Sequence, residues 1–360
     1  MLLLLAAAGI LLVIAAFACT TGQKSDFSEK VWMNRVSDTD INDLYAPHFQ
    51  GGGFFNPWLK MADKSFLSVL GWKLFSRTEY SDKEKHFQPR VIPDTAERLS
   101  GTTGDFILWI GHNTFLVRIG SEYWLTDPIF TKRALLPARV TPPAISLRDL
   151  NISGENLNIV ISHNHYDHLD RSSMEQLPAK ASVYVPEGLG TYVGKMNKPV
   201  VLEMDWWDEK QTGPDSRIVC LPAQHWSMRI GQGRNRTLWA SWLLITPEAT
   251  LYFGGDSGYF KGFREFGRKY QSIDYAFLAT TAYHPRWFMH YQHMNIPEAV
   301  RAFEELGASY FIPTQWGTFP LGSEPAGFPG LDLKRYIRDN QLDPSRFSIM
   351  DIGEILPVRQ

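Results

Sequence analysis

The chain has 360 residues, 36 Lys and Arg against 38 Asp and Glu for a formal charge of -2, with 44% hydrophobic and 13% aromatic residues. That apolar content fills a sizeable core and excludes a wholly disordered chain, while the balanced charge excludes the basic footprint of a nucleic-acid binder. Two cysteines exclude a disulfide-stapled scaffold, and the length suits either two average domains or one large layered domain with extensions.

From Leu2 to Ala18 every side chain is uncharged and apolar or small. The length fits either the apolar core of a signal peptide or a short membrane-spanning helix. Ala16-Phe17-Ala18 has the small-x-small form that signal peptidases accept, and Cys19 follows in the position of an acylated lipoprotein cysteine. The match is incomplete, with Ala16 where Leu is usual and no Lys or Arg before the apolar run. Residues 1–18 are expected to be a signal peptide or membrane anchor and Cys19 a lipidation site. The protein is then exported to the cell envelope and held at a membrane by its N-terminus. With Cys19 acylated, Cys220 has no partner for an internal disulfide.

Residues 19–46 read as a polar tether. Residues 47–90 form an aromatic-rich segment expected to pack on a main domain spanning 91–360. In it, Gly51-Gly52-Gly53 makes a turn leading to Asn56-Pro57-Trp58. Between Trp58 and Phe75, apolar Leu59, Met61, Phe66, Leu67, Leu70, Trp72 and Leu74 alternate with Lys60, Lys64 and Lys73. This stretch reads as an amphipathic helix packed on the main domain, or as an interfacial element whose Trp and Phe dip into lipid headgroups.

Short apolar runs at Phe106–Ile110, Phe115–Ile119 and Tyr123–Thr126, broken by glycines, predict a strand meander. Further strands are predicted at Asn158–Ser162, Ser182–Val185, Arg217–Leu221, Leu238–Ile245, Leu251–Gly254, Tyr275–Ala279 and Tyr310–Pro313. Helices are predicted at Glu187–Met196 and Pro297–Leu306, the second with Pro297 in its first turn and Gly307 as its stop. Strands with helices between them indicate a layered α/β domain.

Three of the ten histidines fall within His163-Asn164-His165-Tyr166-Asp167-His168. The cluster follows a buried-strand pattern, which places it in the loop at a strand's carboxyl end, where α/β sheets hold their sites. Neutral imidazoles with a carboxylate are the ligand set that zinc prefers. His163 and His165 can face one ion while Asp167 and His168 face a second. No serine sits on a Gly-x-Ser-x-Gly elbow, so a serine hydrolase is not indicated. Downstream, His225 and Asp256 close two further strand patterns.

The order His-x-His-x-Asp-His, then His, then Asp resembles the metallo-β-lactamase superfamily. The resemblance narrows on the stretches Trp109–Thr114, Leu125–Phe130, Ser162–Asp170, Pro285–Met289, Tyr291–His293 and Trp316–Phe319, with Asn56-Pro57-Trp58 upstream. These are similar to the N-acylphosphatidylethanolamine-hydrolysing phospholipase D family, from about His48 to near the C-terminus. The resemblance implies a four-layer αββα fold within the α/β class and two zinc ions. It also implies hydrolysis of N-acylphosphatidylethanolamine, or a related phospholipid, to phosphatidic acid and an N-acylethanolamine.

Carried over residue by residue, the resemblance assigns one ion to His163, His165, His225 and Asp256, and the other to Asp167, His168 and the shared Asp256. The family's motif has a further histidine ligand where this chain has Gln315. A neutral carbonyl oxygen is a poor zinc ligand beside an imidazole, so three readings remain: weak coordination by Gln315, a water in its place, or an unfilled second site. The expectation is weakened but present binding, because Asp167, His168 and Asp256 still supply good ligands.

Asp167 and His293 are the candidate catalytic residues, with activated water attacking phosphorus and His293 assisting the leaving alkoxide. His112 and Asp127 are expected to orient ligands from behind. His284 and His290 read as surface or pocket-lining, and Trp287, Phe288, Met289 and Tyr291 as the wall of a lipid entrance. The implied partners are a phospholipid, a membrane surface and a second copy in a homodimer. Two alternatives stay open: a hydrolase of a soluble ester, lactone or cyclic phosphodiester, and a degenerate metal-binding envelope protein without turnover.

Overall fold

The computed structural model describes residues 11–18, 21, 24, 26–62, 65–75 and 78–359. Residues 1–10 of the expected leader and Cys19, the expected lipidation site, lie outside the described residues. Among the described residues no helix is long and apolar enough to cross a membrane.

Among the described residues, thirteen strands build two large sheets. They are β1 (Phe106–Gly111), β2 (Thr114–Ile119), β3 (Glu122–Thr126), β4 (Leu157–Val160), β5 (Ser182–Pro186), β6 (Val201–Met204), β7 (Glu209–Gln211), β8 (Arg217–Leu221), β9 (Ser241–Ile245), β10 (Thr250–Phe253), β11 (Tyr275–Ala279), β12 (Tyr310–Thr314) and β13 (Ile355–Pro357). The first sheet runs β13-β1-β2-β3-β4-β5-β6 and the second β12-β11-β10-β9-β8-β7. β3 to β6 pair in parallel, as do β10 to β12, and the other pairs are antiparallel.

β1 shows why the layers form. Ile107 and Trp109 face the core between the sheets, while Phe106, Leu108 and Ile110 join an outer core with Leu169, Met174, Leu177 and Val193. A strand buried on both faces needs an unbroken apolar run rather than strict alternation. The second sheet's outer face is covered by helices at Gly262–Lys269 and Ile296–Leu306, which contribute Phe263, Phe266, Ala299, Val300 and Phe303 to the core. The result is helix, sheet, sheet, helix: an α/β fold of the four-layer αββα kind.

The Ile296–Leu306 helix carries its own start and stop signals. Asn295 and Glu298 form a reciprocal capping box, each side chain accepting the other's backbone N–H at 3.0 Å. Gly307 ends it at φ 64°.

From Ser28 to Tyr45 the stretch expected as a polar tether is folded instead. Glu29–Ser37 is a helix capped by Ser28, and Ile41–Tyr45 a short 3-10 turn. Trp32, Val36 and Leu44 are buried in the main core, and Trp32 Nε1 donates to Glu298 at 3.2 Å. Trp32 and Val36 are four apart, so they share one helix face. The charges around them lower the average hydropathy and hide that face from a compositional reading.

Among the described residues from Trp58 to Phe75, the helix runs over Phe66–Phe75. Trp58 lies in the preceding loop, buried, with Nε1 donating to Gln224 at 3.1 Å. Trp72 stacks on Phe288 at 4.9 Å and donates to Ser323 at 2.8 Å, whereas Val69 and Leu74 stay exposed. The helix thus packs on the body and also presents apolar side chains outward. The predicted Glu187–Met196 helix shrinks to Gly190–Gly194. The strand predicted from Leu238 begins at Ser241, because Leu238 and Ala240 donate instead to Glu187 and Ser162 at 2.8 and 2.9 Å.

Candidate metal centre

Every candidate ligand lies just past the carboxyl end of a strand. His112 follows β1, Asp127 follows β3, the His163–His168 loop leaves β4, and His225, Asp256 and Gln315 follow β8, β10 and β12. His112, Asp127 and Gln315 hold φ of 53°, 33° and 71°, a left-handed region that side chains rarely adopt. Backbone bonds keep them there. Asp127 N–H donates to Val160 O at 2.9 Å, Gln315 N–H to His112 O at 3.0 Å, and His112 N–H to Thr318 Oγ1 at 2.8 Å. The strained turns aim these side chains into the cleft between the sheets.

Two groups of donors converge there. In the first, His163 Nε2 lies 2.7 Å from His165 Nδ1, which lies 3.2 Å from His225 Nε2. Asp256 Oδ2 is 3.4 Å from His225 Nε2 and 3.8 Å from His163 Nε2. A tetrahedral ion about 2.0–2.2 Å from its donors sets them about 3.3–3.6 Å apart; the separations to His225 and Asp256 lie near that spacing, His163 and His165 sit closer together, and the four donors could hold one cation. The rings are oriented for it. His163 Nδ1 faces Ser162 Oγ at 2.9 Å, and His225 Nδ1 faces the carbonyl of Gln292 at 3.2 Å. A carbonyl only accepts, so the His225 proton sits on Nδ1 and its Nε2 lone pair points inward.

The second group holds His112, Asp167 and His168. Asp167 Oδ2 is 3.1 Å from His112 Nε2 and 3.4 Å from His168 Nε2, and Asp256 Oδ1 is 3.3 Å from His168 Nε2. Asp256 thereby turns one oxygen to each group. Asp127 Oδ2 sits 2.7 Å from His168 Nδ1, leaving Nε2 for the cleft. His168 Nε2 is buried and has no hydrogen-bond partner among the described residues.

Gln315 is turned as a hydrogen-bond donor in this arrangement. Its Nε2 donates to Asp256 Oδ1 at 2.5 Å, and Oε1 is buried with no partner among the described residues. The amide presents an N–H, not a lone pair, to the shared carboxylate.

The charges agree with cation binding. Burial holds His163 well below the usual imidazole range and pushes His165 and His225 down to about 3, so all three stay neutral. Burial works against ionisation of Asp167 and Asp256, yet the adjoining His168 and its neighbours hold both well below the carboxylate range. Around His168, burial is outweighed by Asp256, Asp167 and Asp127, which hold its proton tightly. Three carboxylates about one ring make a negative field that a divalent cation neutralises.

The centre opens into a cavity of about 350 Å³ lined by His165, Asp167, His225, Asp256 and His293 on one side and Leu135, Leu136, Phe288, Met289 and Leu321 on the other. His293 stands beside His225, ring centroids 5.5 Å apart, and Arg286 holds its carbonyl at 3.1 Å. A second groove of about 460 Å³, sharing Phe288, runs past Trp32, Met61, Trp287 and Tyr291. His290 lines that groove, stacked on Phe27 at 4.6 Å. His284 lies away from the centre, its Nδ1 2.7 Å from the Tyr80 hydroxyl. Sequence reasoning passed over Ser162 and the Gln292 carbonyl, which orient His163 and His225. Ser162 adjoins the histidine motif and could have been found there, whereas a backbone carbonyl leaves no trace in residue type.

Donor groups at the carboxyl edges of two stacked sheets, with helices outside, define a metal-dependent hydrolase of the metallo-β-lactamase fold. Residues 123–316 match the Beta-lactamase superfamily domain, and the chain belongs to that superfamily. It is 33% identical over 302 residues to an uncharacterised protein of Mycobacterium tuberculosis, covering 79% of this chain and 78% of that one. It is 33% identical over 281 residues to the N-acyl-phosphatidylethanolamine-hydrolyzing phospholipase D 1 of Caenorhabditis elegans, covering 72% and 78%. The structure of a metallo hydrolase from the archaeon Ignicoccus hospitalis is similar with a TM-score of 0.55 at 19% identity, over 71% of this chain and 98% of that one. Identity that low speaks to the fold alone.

Proposed function

We propose that this protein is a zinc-dependent phosphodiesterase of the phospholipase D type. It hydrolyses N-acylphosphatidylethanolamine, or a related phospholipid, to phosphatidic acid and an N-acylethanolamine. The observation that carries this reading is the junction of two donor groups, joined by Asp256, with a cavity walled by Phe288, Met289 and Leu321. Charged chemistry beside an apolar wall suits a phosphodiester with acyl chains. The relationship to the nematode phospholipase D supports the same substrate class. An apolar leader and an acylated Cys19 would hold the protein at the membrane where such a substrate lies.

His163, His165, His225 and Asp256 would hold one zinc ion, and Asp167, His168 and Asp256 would contribute to a second. Two bound zinc ions supply Lewis acidity toward the phosphoryl oxygens and a water acidified toward neutral pH. The chain's residues do the rest. Asp256 and Asp167 fix the geometry, and the cavity wall holds the acyl chains away from water. In the reaction, water oxygen bonds to phosphorus and the bond from phosphorus to the ethanolamine oxygen breaks. His293, on the cavity wall, hands a proton to the departing alkoxide.

Mass spectrometry of products from zinc-loaded protein and N-acylphosphatidylethanolamine in mixed micelles tests the reading. Phosphatidic acid with N-acylethanolamine is the expected result. Turnover of a soluble ester, lactone or cyclic phosphodiester with none of the lipid overturns it.

A further inference from the structure

We infer that His112 is itself a ligand of the second metal ion and supplies the imidazole that Gln315 does not. The inference rests on the metal centre and not on the lipid substrate.

His112 and Gln315 are neighbours at two strand ends, joined by the 3.0 Å bond from Gln315 N–H to the His112 carbonyl, and both have left-handed backbones. Two positions therefore look into the same half of the cleft. Gln315 spends its amide N–H on Asp256 Oδ1. His112 sends Nε2 to within 3.1 Å of Asp167 Oδ2, and the donor atoms of His112, Asp167 and His168 all lie within 4.8 Å of one another. The separations from Asp167 Oδ2 to His112 Nε2 and His168 Nε2, at 3.1 and 3.4 Å, and from His168 Nε2 to Asp256 Oδ1, at 3.3 Å, are close to the edges of a tetrahedron, about 3.3–3.6 Å for donors bound at zinc distance. With Asp256 shared, the second ion then has four protein donors, two imidazole and two carboxylate.

His112 is fully buried, and its ring meets His168 at 5.4 Å and Phe319 at 5.1 Å between centroids, so packing fixes its direction. No described residue bonds its Nδ1. The tautomer is therefore set at Nε2 alone, either as a proton donated to Asp167 or as a lone pair given to a metal. These two states are separable by experiment.

Long-range proton–nitrogen NMR of the zinc-loaded, uniformly ¹⁵N-labelled full-length protein reads the state directly. We expect His112 Nε2 to carry no proton and to shift as a coordinated nitrogen, with Nδ1 protonated. A protonated Nε2 with two equivalents of zinc bound overturns the inference, as does a protein that takes up only one equivalent. Calorimetric zinc titration of His112→Gln, which keeps an N–H near the Nε2 position, gives a second readout. The second equivalent is expected to weaken by more than about 100-fold, the upper range for a residue that merely orients a ligand. The first equivalent stays as in the parent, which also reports an intact fold. Unchanged binding of the second equivalent in His112→Gln overturns the inference. Neither readout needs turnover, so failure of lipid hydrolysis leaves this inference standing.

Discussion

Asp127 Oδ2 lies 2.7 Å from His168 Nδ1, and that one contact decides which nitrogen of the ring faces the cleft. The carboxylate is itself over-determined. It accepts from Ser162 N–H and Ser162 Oγ, each at 2.7 Å, and from Asn113 Nδ2 at 2.6 Å. A residue with no reach to the cation thus positions the ligand loop, the strand end before it and the ring that closes the second group.

Replacing Asp127 with Asn should therefore act on the metal through His168. The charge that holds the Nδ1 proton is lost, and the ring can turn its other tautomer inward. Zinc affinity of the second equivalent is expected to fall about 10–100-fold, the usual cost of removing such a partner. Competition against a chromophoric chelator measures this. An unchanged second constant would show that His168 is oriented by packing alone.

His293 is separable from the metal ligands. It lines the cavity beside His225, and Arg286 fixes its backbone. His293→Ala should leave zinc content at the parental value while lowering kcat about 10²–10⁴-fold, the range for losing a general acid. A raised KM with kcat intact would instead make it a substrate-binding residue.

Much of the fold was legible because it is written in local patterns. β1, β8 and β11 are continuous apolar runs ended by turns, and the Ile296–Leu306 helix is bounded by Asn295, Pro297 and Gly307. The six residues from His163 to Asp256 that the structure gathers were readable as residue types at strand ends. What stayed hidden depends on tertiary partners. The helix at Glu29–Ser37 exists because Trp32 and Val36 find the main core, and its own charged sequence does not announce that. β6 and β13 are short and partly exposed and β7 is exposed throughout, so no unbroken apolar run marked them. The direction of the Gln315 amide, donor toward Asp256 and the Gly255 carbonyl, rests on partners some sixty residues away in the chain.

Glu324, which is not one of the gathered donors, predicts a pH dependence of stability. It is 3% exposed, and burial pushes its carboxyl up to about 7 from 4.5, against the pull of backbone N–H groups at Tyr283 and His284. A folded-state pKa above the unfolded one means that the native state binds the proton more tightly. The stabilisation is complete below about pH 4.5 and fades as pH rises through about 7, a loss of roughly 3 kcal/mol. Denaturant unfolding of Glu324→Gln alongside the parent isolates this group. The difference in stability between the two should grow across that window, and a flat difference would show that the carboxyl titrates alike in both states.

The rim of the active-site cavity offers a test of the lipid surface. Leu135 and Leu136 line its mouth with 50% and 77% of their surface exposed, and Leu74 on the Phe66–Phe75 helix is exposed as well. Water-exposed leucines at a cavity mouth cost nothing to the fold when replaced, but each contributes about 1.5–3 kcal/mol if it enters a lipid phase. Leu136→Asp, which places a charge at the same point, should then weaken binding to phospholipid vesicles about 10-fold or more. Its kcat on a short-chain, monomeric phosphodiester should match the parent, because no metal ligand or proton donor is touched. Vesicle sedimentation and paired assays on the two substrate forms distinguish the cases. Equal losses on both forms would place Leu136 in contact with the substrate itself, and no loss on either would mean that the protein meets its lipid through another face.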